Sequence, residues 1–153
     1  MTEPTTRNDP RGDPGLAAWS AFLRAHARVV RELERELQAD QHLALTDYDV
    51  LVQLASAEGR RLRMSDLADR LLLSRSGATR LVDRLVADGL LERVVCDDDR
   101  RGQWASLTHS GLRRLRAATP THLRGIRDHF LDRLGADDIT ELDRMLSSVA
   151  TGD

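Results

Sequence analysis

The sequence predicts a mainly α-helical fold carrying one small antiparallel hairpin, on three observations. Apolar residues recur at three- and four-residue spacing through most of residues 16–37, 48–55, 67–85 and 112–149. Two short strand-like runs, 90–96 and 103–107, break that period on either side of Asp97-Asp98-Asp99-Arg100-Arg101-Gly102, a stretch too charged to be anything but an exposed loop. The two helical patterns just before this hairpin are short and separated only by a turn.

Taken in order, residues 1–14 hold three prolines among polar and charged residues and are expected to form a disordered tail. A long helix follows, in which Leu16, Trp19, Leu23, His26, Val30, Leu33 and Leu37 keep an unbroken three-four alternation and Phe22, Ala27 and Val29 widen the face. His26, in this seam, reads either as a packed, hydrogen-bonded histidine or as a contact in a ligand pocket. Thr46 with Asp49 suggests a capping-box-like start for a helix running through Tyr48, Val50, Leu51, Leu54 and Ala55 to Gly59. Arg60-Arg61-Leu62-Arg63 is a short extended link, whose arginines read equally as phosphate contacts or as a solvated basic stretch.

Ser65 is the expected N-cap of the next helix, with Leu67, Ala68, Leu71 and Leu72 on one face. Leu73 and Ser74 form the turn, and Ser74 caps a helix that turns Ala78, Leu81, Val82 and Leu85 inward. At about 100° per residue, Ser76, Arg80 and Asp83 lie opposite that stripe, with Thr79 and Arg84 on its flanks. Asp88-Gly89 ends this helix, glycine supplying a left-handed C′ residue. Thr108 caps a further helix carrying Leu112, Leu115, Ala118, Leu123, Ile126, Phe130 and Leu134, and Pro120 predicts a kink or a short interruption near Thr119. After Gly135 a last helix aligns Ile139, Leu142, Met145, Leu146 and Val149, with Asp137 and Asp138 in its first turn.

Composition bounds the function. At 153 residues the chain is long enough for one domain that completes its core by dimerising. It has no run of about 18 apolar residues and lacks the basic-then-apolar order of a signal peptide, so a cytoplasmic protein that does not enter a membrane is expected. A single cysteine, Cys96, excludes an internal disulfide and agrees with a reducing compartment. All 23 basic residues are arginine, and the net charge is −2. That charge is unevenly spread: residues 60–116 hold 13 arginines against 8 acids, a local net of +5, which screening makes more relevant than the total. An amphipathic helix with hydroxyls and arginines outward, set after a tight turn beside a hairpin, suits insertion into the DNA major groove. Ser74 and Arg75 at its start can bind phosphate or a base edge, Ser76, Thr79 and Arg80 face bases, and Arg84 is assigned to the DNA backbone, the alternative being that Arg80 and Arg84 pair with Asp83 and Asp88 at helical spacing. No enzyme motif is present, no cofactor is expected and the histidines show no metal-ligand spacing. Strand alternation leaves Trp104 on the outside of the hairpin, to stack or to pack on a neighbour.

Over some sixty residues, the order of S-D-L-A-x-x-L, S-x-S-x-x-T-R-L-V-x-x-L, G-L-L-x-R, D-x-R and L-T-x-x-G resembles the MarR family of winged helix-turn-helix transcription factors. The resemblance implies a bacterial, ligand-responsive repressor that binds a pseudo-palindromic operator as a homodimer. It divides the chain into the 1–14 tail, a 45–108 winged DNA-binding unit, and a dimerisation region of 15–41 and 109–150. It places Arg101 at the wing tip in the minor groove with Arg100 beside it, while Asp99 helps hold the loop. A pocket for a small aromatic or apolar effector is also implied, for which Trp19, His26 and Tyr48 are candidates. Alternatives on the same fold are a metal- or thiol-responsive regulator, the latter disfavoured by the aspartates beside Cys96, and a protein-interaction module.

Overall fold

The computed structural model describes residues 12–95 and 102–151. Helix α1 (Pro14–Gln41) starts with Pro14 at its first position, where no N–H is needed, and Asp13 accepts the Gly15 N–H at 2.7 Å. It ends at His42 in the left-handed conformation, and the Leu43 N–H reaches back to the Leu37 carbonyl. Helix α2 (Leu45–Ser56) follows directly. The expected Thr46–Asp49 cap is absent. The helix begins two residues earlier, after Ala44, and Glu34 of α1 accepts the Leu45 N–H at 2.7 Å, so a tertiary contact does the work of a local cap.

The arginine link folds as strand β1 (Arg61–Arg63) and passes without a side-chain cap into α3 (Met64–Arg70). Ser65 therefore sits inside the first turn, not at its cap. Leu67 and Ala68 are buried as expected, whereas Leu72 has φ 54° and is 93% exposed. The Leu73 N–H closes back on the Ala68 carbonyl, and this turn swings Leu72 out of the apolar face. Helix α4 (Arg75–Ala87) is capped by Ser74, whose hydroxyl accepts the Gly77 N–H at 3.0 Å, and it buries Ala78, Val82 and Leu85. Gly89, at φ 73°, turns the chain into β2 (Leu91–Val95), which pairs antiparallel with β3 (Gln103–Leu107).

The sheet order is β1-β3-β2, with Leu62 and Arg93 both opposite Ala105. Thr108 caps α5 (His109–His129), accepting the Gly111 N–H at 3.0 Å. Its hydroxyl also lies 2.8 and 2.9 Å from the Gly89 and Leu90 carbonyls, tying the end of α4 to the start of α5.

The interruption expected at Pro120 does not occur, for α5 is one helix through it. Pro120 and Arg116 are both on the exposed side, so the Arg116 carbonyl that loses its partner faces solvent. The helix ends at His129 instead of Leu134, and a single 3-10 turn, Leu131–Arg133, leads into α6 (Ala136–Thr151).

Leu33 and Leu37 of α1, Val50, Leu51 and Leu54 of α2, Leu67, Val82, Leu85, Leu91, Ala105, and Leu115 and Ala118 of α5 form one core. The C-terminal half of α1 and much of α5 are thus built into the same unit as the helix-turn-helix. The other half of α1 and all of α6 bury nothing in the single chain: Leu16, Trp19, Phe22, Leu23, Met145, Leu146 and Val149 are exposed.

Candidate nucleic-acid interface

Burial of Ala78, Val82 and Leu85 fixes the rotation of α4, and Ser76, Thr79 and Arg80 consequently face outward, all exposed. Ser74 and Arg75 mark the start of the same surface, with the Ser74 and Ser76 hydroxyls 3.2 Å apart. Among the described residues Arg75 and Arg80 have no carboxylate partner. Asp83, the one acid in this outward row, is engaged by Arg93 of β2 at 3.1 and 2.7 Å, and Arg93 also donates to Gln103 Oε1 at 2.6 Å. A negative charge that would oppose phosphate is thereby matched, and α4 is tied to the hairpin.

Arg84 is not placed as the sequence suggests. Its guanidinium makes a two-pronged bond to Asp47 of α2, both distances 2.7 Å, and it does not take Asp88 as partner. Asp47 is buried while the Arg84 side chain is half exposed, so the pair clamps α4 onto α2. We expect Arg84→Ala to cost about 1–3 kcal/mol, less than the loss of a fully buried pair because Arg84 reaches solvent. The melting temperature should fall by roughly 3–10 °C. Adding Asp47→Asn to Arg84→Ala should recover part of that loss by removing the orphaned charge. Circular-dichroism melts that place Arg84→Ala level with the wild type would show that the pair does not hold the helix.

Between β1, the first residues of α3 and α4, and the start of β3 lies a hollow of about 340 Å³, lined by Arg63, Ser65, Arg75, Thr79 and Gln103 among others. Next to it, Arg61 and Arg63 set their guanidinium carbons 5.0 and 5.4 Å from the centre of the Trp104 ring. The expected outward Trp104 is therefore a half-buried platform for two cations. Sequence alternation could place it on that face, but only the β1–β3 register, with Arg63 opposite Trp104, names its partners. The wing-loop assignments Asp99, Arg100 and Arg101, together with Cys96, lie outside the described residues.

The three effector candidates fall into two clusters, Trp19 with His26 and Tyr48 apart from both. Trp19 stacks on Phe22 at 5.9 Å, and Phe22 lies 6.3 Å from His26, all on the exposed half of α1. Tyr48 is buried between α2 and α5, its ring 4.4 Å from His122 and its hydroxyl 3.4 Å from Thr119 Oγ1. His129, seven residues beyond His122, instead meets Glu36 at 2.7 Å. Among the described residues no group of three His, Cys, Asp or Glu is placed to hold a metal ion, and no helix is long and apolar enough to cross a membrane.

Among the described residues the buried His122 Nδ1 has no hydrogen-bond partner, and burial holds the His122 pKa below the usual 6.5 against the pull of Asp49. Because the folded value is lowered, this site stabilises the fold above about pH 6.5, and the contribution is lost as pH falls through the lowered folded value. His122→Leu should therefore lose less melting temperature than the wild type between pH 7.5 and pH 5. Equal losses would contradict a buried neutral imidazole.

Residues 42–102, which hold α2 to β2, match the family model described as MarR family. The chain is 32% identical over 98 residues to the transcriptional repressor MprA of Escherichia coli, covering 64% of this chain and 55% of that repressor; it thus spans about half the length of the curated relatives it matches. Similarity extends further among solved structures. AbsC, a MarR family transcriptional regulator from Streptomyces coelicolor, is 38% identical with a TM-score of 0.84, covering 92% of this chain and 94% of AbsC. The chain belongs to the MarR family. Another MarR family regulator from Streptomyces coelicolor, Sco3205, solved in complex with DNA, is 34% identical with a TM-score of 0.83 over 89% of this chain and 86% of that one. The named relatives are a transcriptional repressor and two transcriptional regulators.

Proposed function

We propose that this chain is a sequence-specific double-stranded DNA-binding transcriptional repressor that acts as a homodimer. One observation carries the reading: an exposed row of Ser76, Thr79 and Arg80 on a helix whose other face is locked into the core, with Arg75 and Arg80 free of carboxylate partners among the described residues. Such a helix can offer guanidinium and hydroxyl groups to base edges, and Ser74 and Arg75 can bind the adjoining phosphates. The complex of Sco3205 with DNA supports the same use of the fold. Arg84, clamped to Asp47, serves to orient α4.

The dimer reading rests on the apolar residues left exposed along the first half of α1 and along α6, which a second copy would cover. Two winged units would then meet two half-sites of a pseudo-palindrome. Deleting residues 137–153 should give a monomeric or unstable protein, and a truncated form that still sediments as a dimer would contradict this. Responsiveness to a small aromatic or apolar effector is the family's expectation for this chain, and Tyr48 beside His122 is the aromatic candidate at the α2–α5 contact. A mobility-shift titration of the full chain against the DNA upstream of its own coding region tests the function. Retardation of that fragment, but not of scrambled DNA of the same composition, supports it.

A further inference from the structure

We infer that the hollow between Arg63 and Arg75 is a seat for a phosphate of the DNA backbone, and that Trp104 is the positioning residue that holds Arg63 at its rim. The inference rests on the DNA-binding reading above and adds to it a site where β1, the start of α3 and the start of β3 meet the first turns of α4. Two guanidinium-bearing residues, Arg63 and Arg75, and the hydroxyl residues Ser65 and Thr79 line this one opening, together with the amide-bearing Gln103. Those are the groups that bind a tetrahedral dianion or a phosphodiester, and an arginine fork presents two parallel donors to it.

Among the described residues, no carboxylate neutralises the charge at this place, and neither Arg63 nor Arg75 has such a partner. Arg61, two residues from Arg63 on the same face of β1, lies over the same ring. Two like charges gathered at one indole repel each other and favour an anion between or beside them. The ring compensates in part, since its face attracts each cation. It also restricts side chains that would otherwise sample many rotamers in solvent, so less conformational freedom is lost when a phosphate arrives.

The hollow adjoins Thr79 and Arg75 of α4, so a phosphate seated there would lie next to the bases that Ser76 and Arg80 face. Such a contact carries no sequence information, but it fixes how deeply and at what angle α4 enters the groove. Trp104 acts on DNA only through Arg63 in this scheme. Its removal should lower affinity while leaving the number of neutralised phosphates unchanged.

The test uses the full-length protein and an inverted-repeat duplex enriched by the protein from a random pool, with affinity measured by fluorescence anisotropy from 50 to 300 mM KCl. Arg63→Ala should shallow the log-log salt slope by about 1.8 units, one phosphate per protomer. The affinity ratio between 50 and 200 mM should correspondingly shrink about twelvefold. Trp104→Ala should weaken binding with the salt slope retained, and Trp104→Phe should restore most of the affinity. In an Arg63→Ala background Trp104→Ala should have no further effect, whereas a merely structural tryptophan would lower affinity equally in both backgrounds. Arg127→Ala, about 27 Å along α5 from His109, serves as the control for non-specific loss of charge. Melting curves confirm that each variant is folded.

If the wild type enriches and binds the duplex but Arg63→Ala keeps its affinity and slope, the phosphate seat is refuted and the DNA-binding reading survives. If Trp104→Ala costs as much with Arg63 absent as with it present, the positioning role is refuted. If the wild type enriches no duplex, both readings fall together.

Discussion

Arg80→Ala should lower the affinity of the dimer for its operator by roughly 30-fold to 20,000-fold, because one base contact worth about 1–3 kcal/mol is lost from each of two half-sites. Arg80 is exposed at the centre of the outward row of α4, and no carboxylate among the described residues competes for it. The loss should be selective. Preference at one symmetric pair of positions should relax, while other positions keep theirs, since a guanidinium in the major groove matches a particular acceptor pattern. Arg101→Ala offers the contrast. If that residue enters the minor groove it senses potential and groove width, so its removal should weaken good and poor sites alike. Competition binding against a set of singly substituted operators separates the two patterns. Arg80 is solvent-facing, and the melting temperature of Arg80→Ala should stay near that of the wild type. An Arg80→Ala protein with unchanged affinity and unchanged preference would show that α4 does not read bases through this side chain.

Gly111→Ala should be the most destabilising single methyl addition among the glycines of α5. A Cβ at Gly111 would lie 2.2 Å from the Leu90 carbonyl oxygen and 2.7 Å from Leu107 Cδ1. The carbonyl cannot retreat cheaply, for it accepts the Thr108 N–H at 3.1 Å and lies 2.9 Å from the Thr108 hydroxyl. We expect a cost of about 3 kcal/mol, at the upper end of ordinary overpacking, and a fall in melting temperature of roughly 6–12 °C. Gly125→Ala makes the comparison informative. There an added methyl meets Leu33 Cδ2 at 2.6 Å and Glu36 Oε2 at 2.8 Å, which are ends of side chains that can move. Its cost should be smaller. If the two variants melt alike, the packing of α5 on the turn after α4 is looser than the geometry indicates.

These two residues also illustrate what a sequence exposes and what it conceals. The pattern around Gly111 and the outward placement of Arg80 follow from local signals, a cap at Thr108 and a helical stripe through Ala78, Val82 and Leu85. Ser74, Gly89 and the hairpin were legible for the same reason, since a cap or a left-handed glycine acts on its own neighbours. Elements decided by distant residues were not. Glu34, eleven residues before Leu45, takes the first N–H of a helix that Thr46 was expected to cap. Asp47 takes the Arg84 guanidinium across 37 residues, and no helical spacing could indicate it. Leu72 fits an inward stripe by count, yet the Leu73-to-Ala68 hydrogen bond ends the helix first and turns it outward. Pro120 fails to interrupt α5 because its side of the helix is solvent-facing, a property of packing and not of local sequence. In the candidate site, Arg63 and Trp104 were visible singly. Their meeting depends on strand register, which the sequence did not specify.

The most direct test of the account is selection of duplexes from a random-sequence pool by the full-length protein, followed by sequencing of what is retained. The account predicts one enriched motif with two-fold symmetry, its half-sites separated by about one helical turn, 10–10.5 base pairs centre to centre, or a multiple of it. Retention of an unenriched pool, or of a motif without inverted symmetry, would contradict a sequence-specific dimeric repressor.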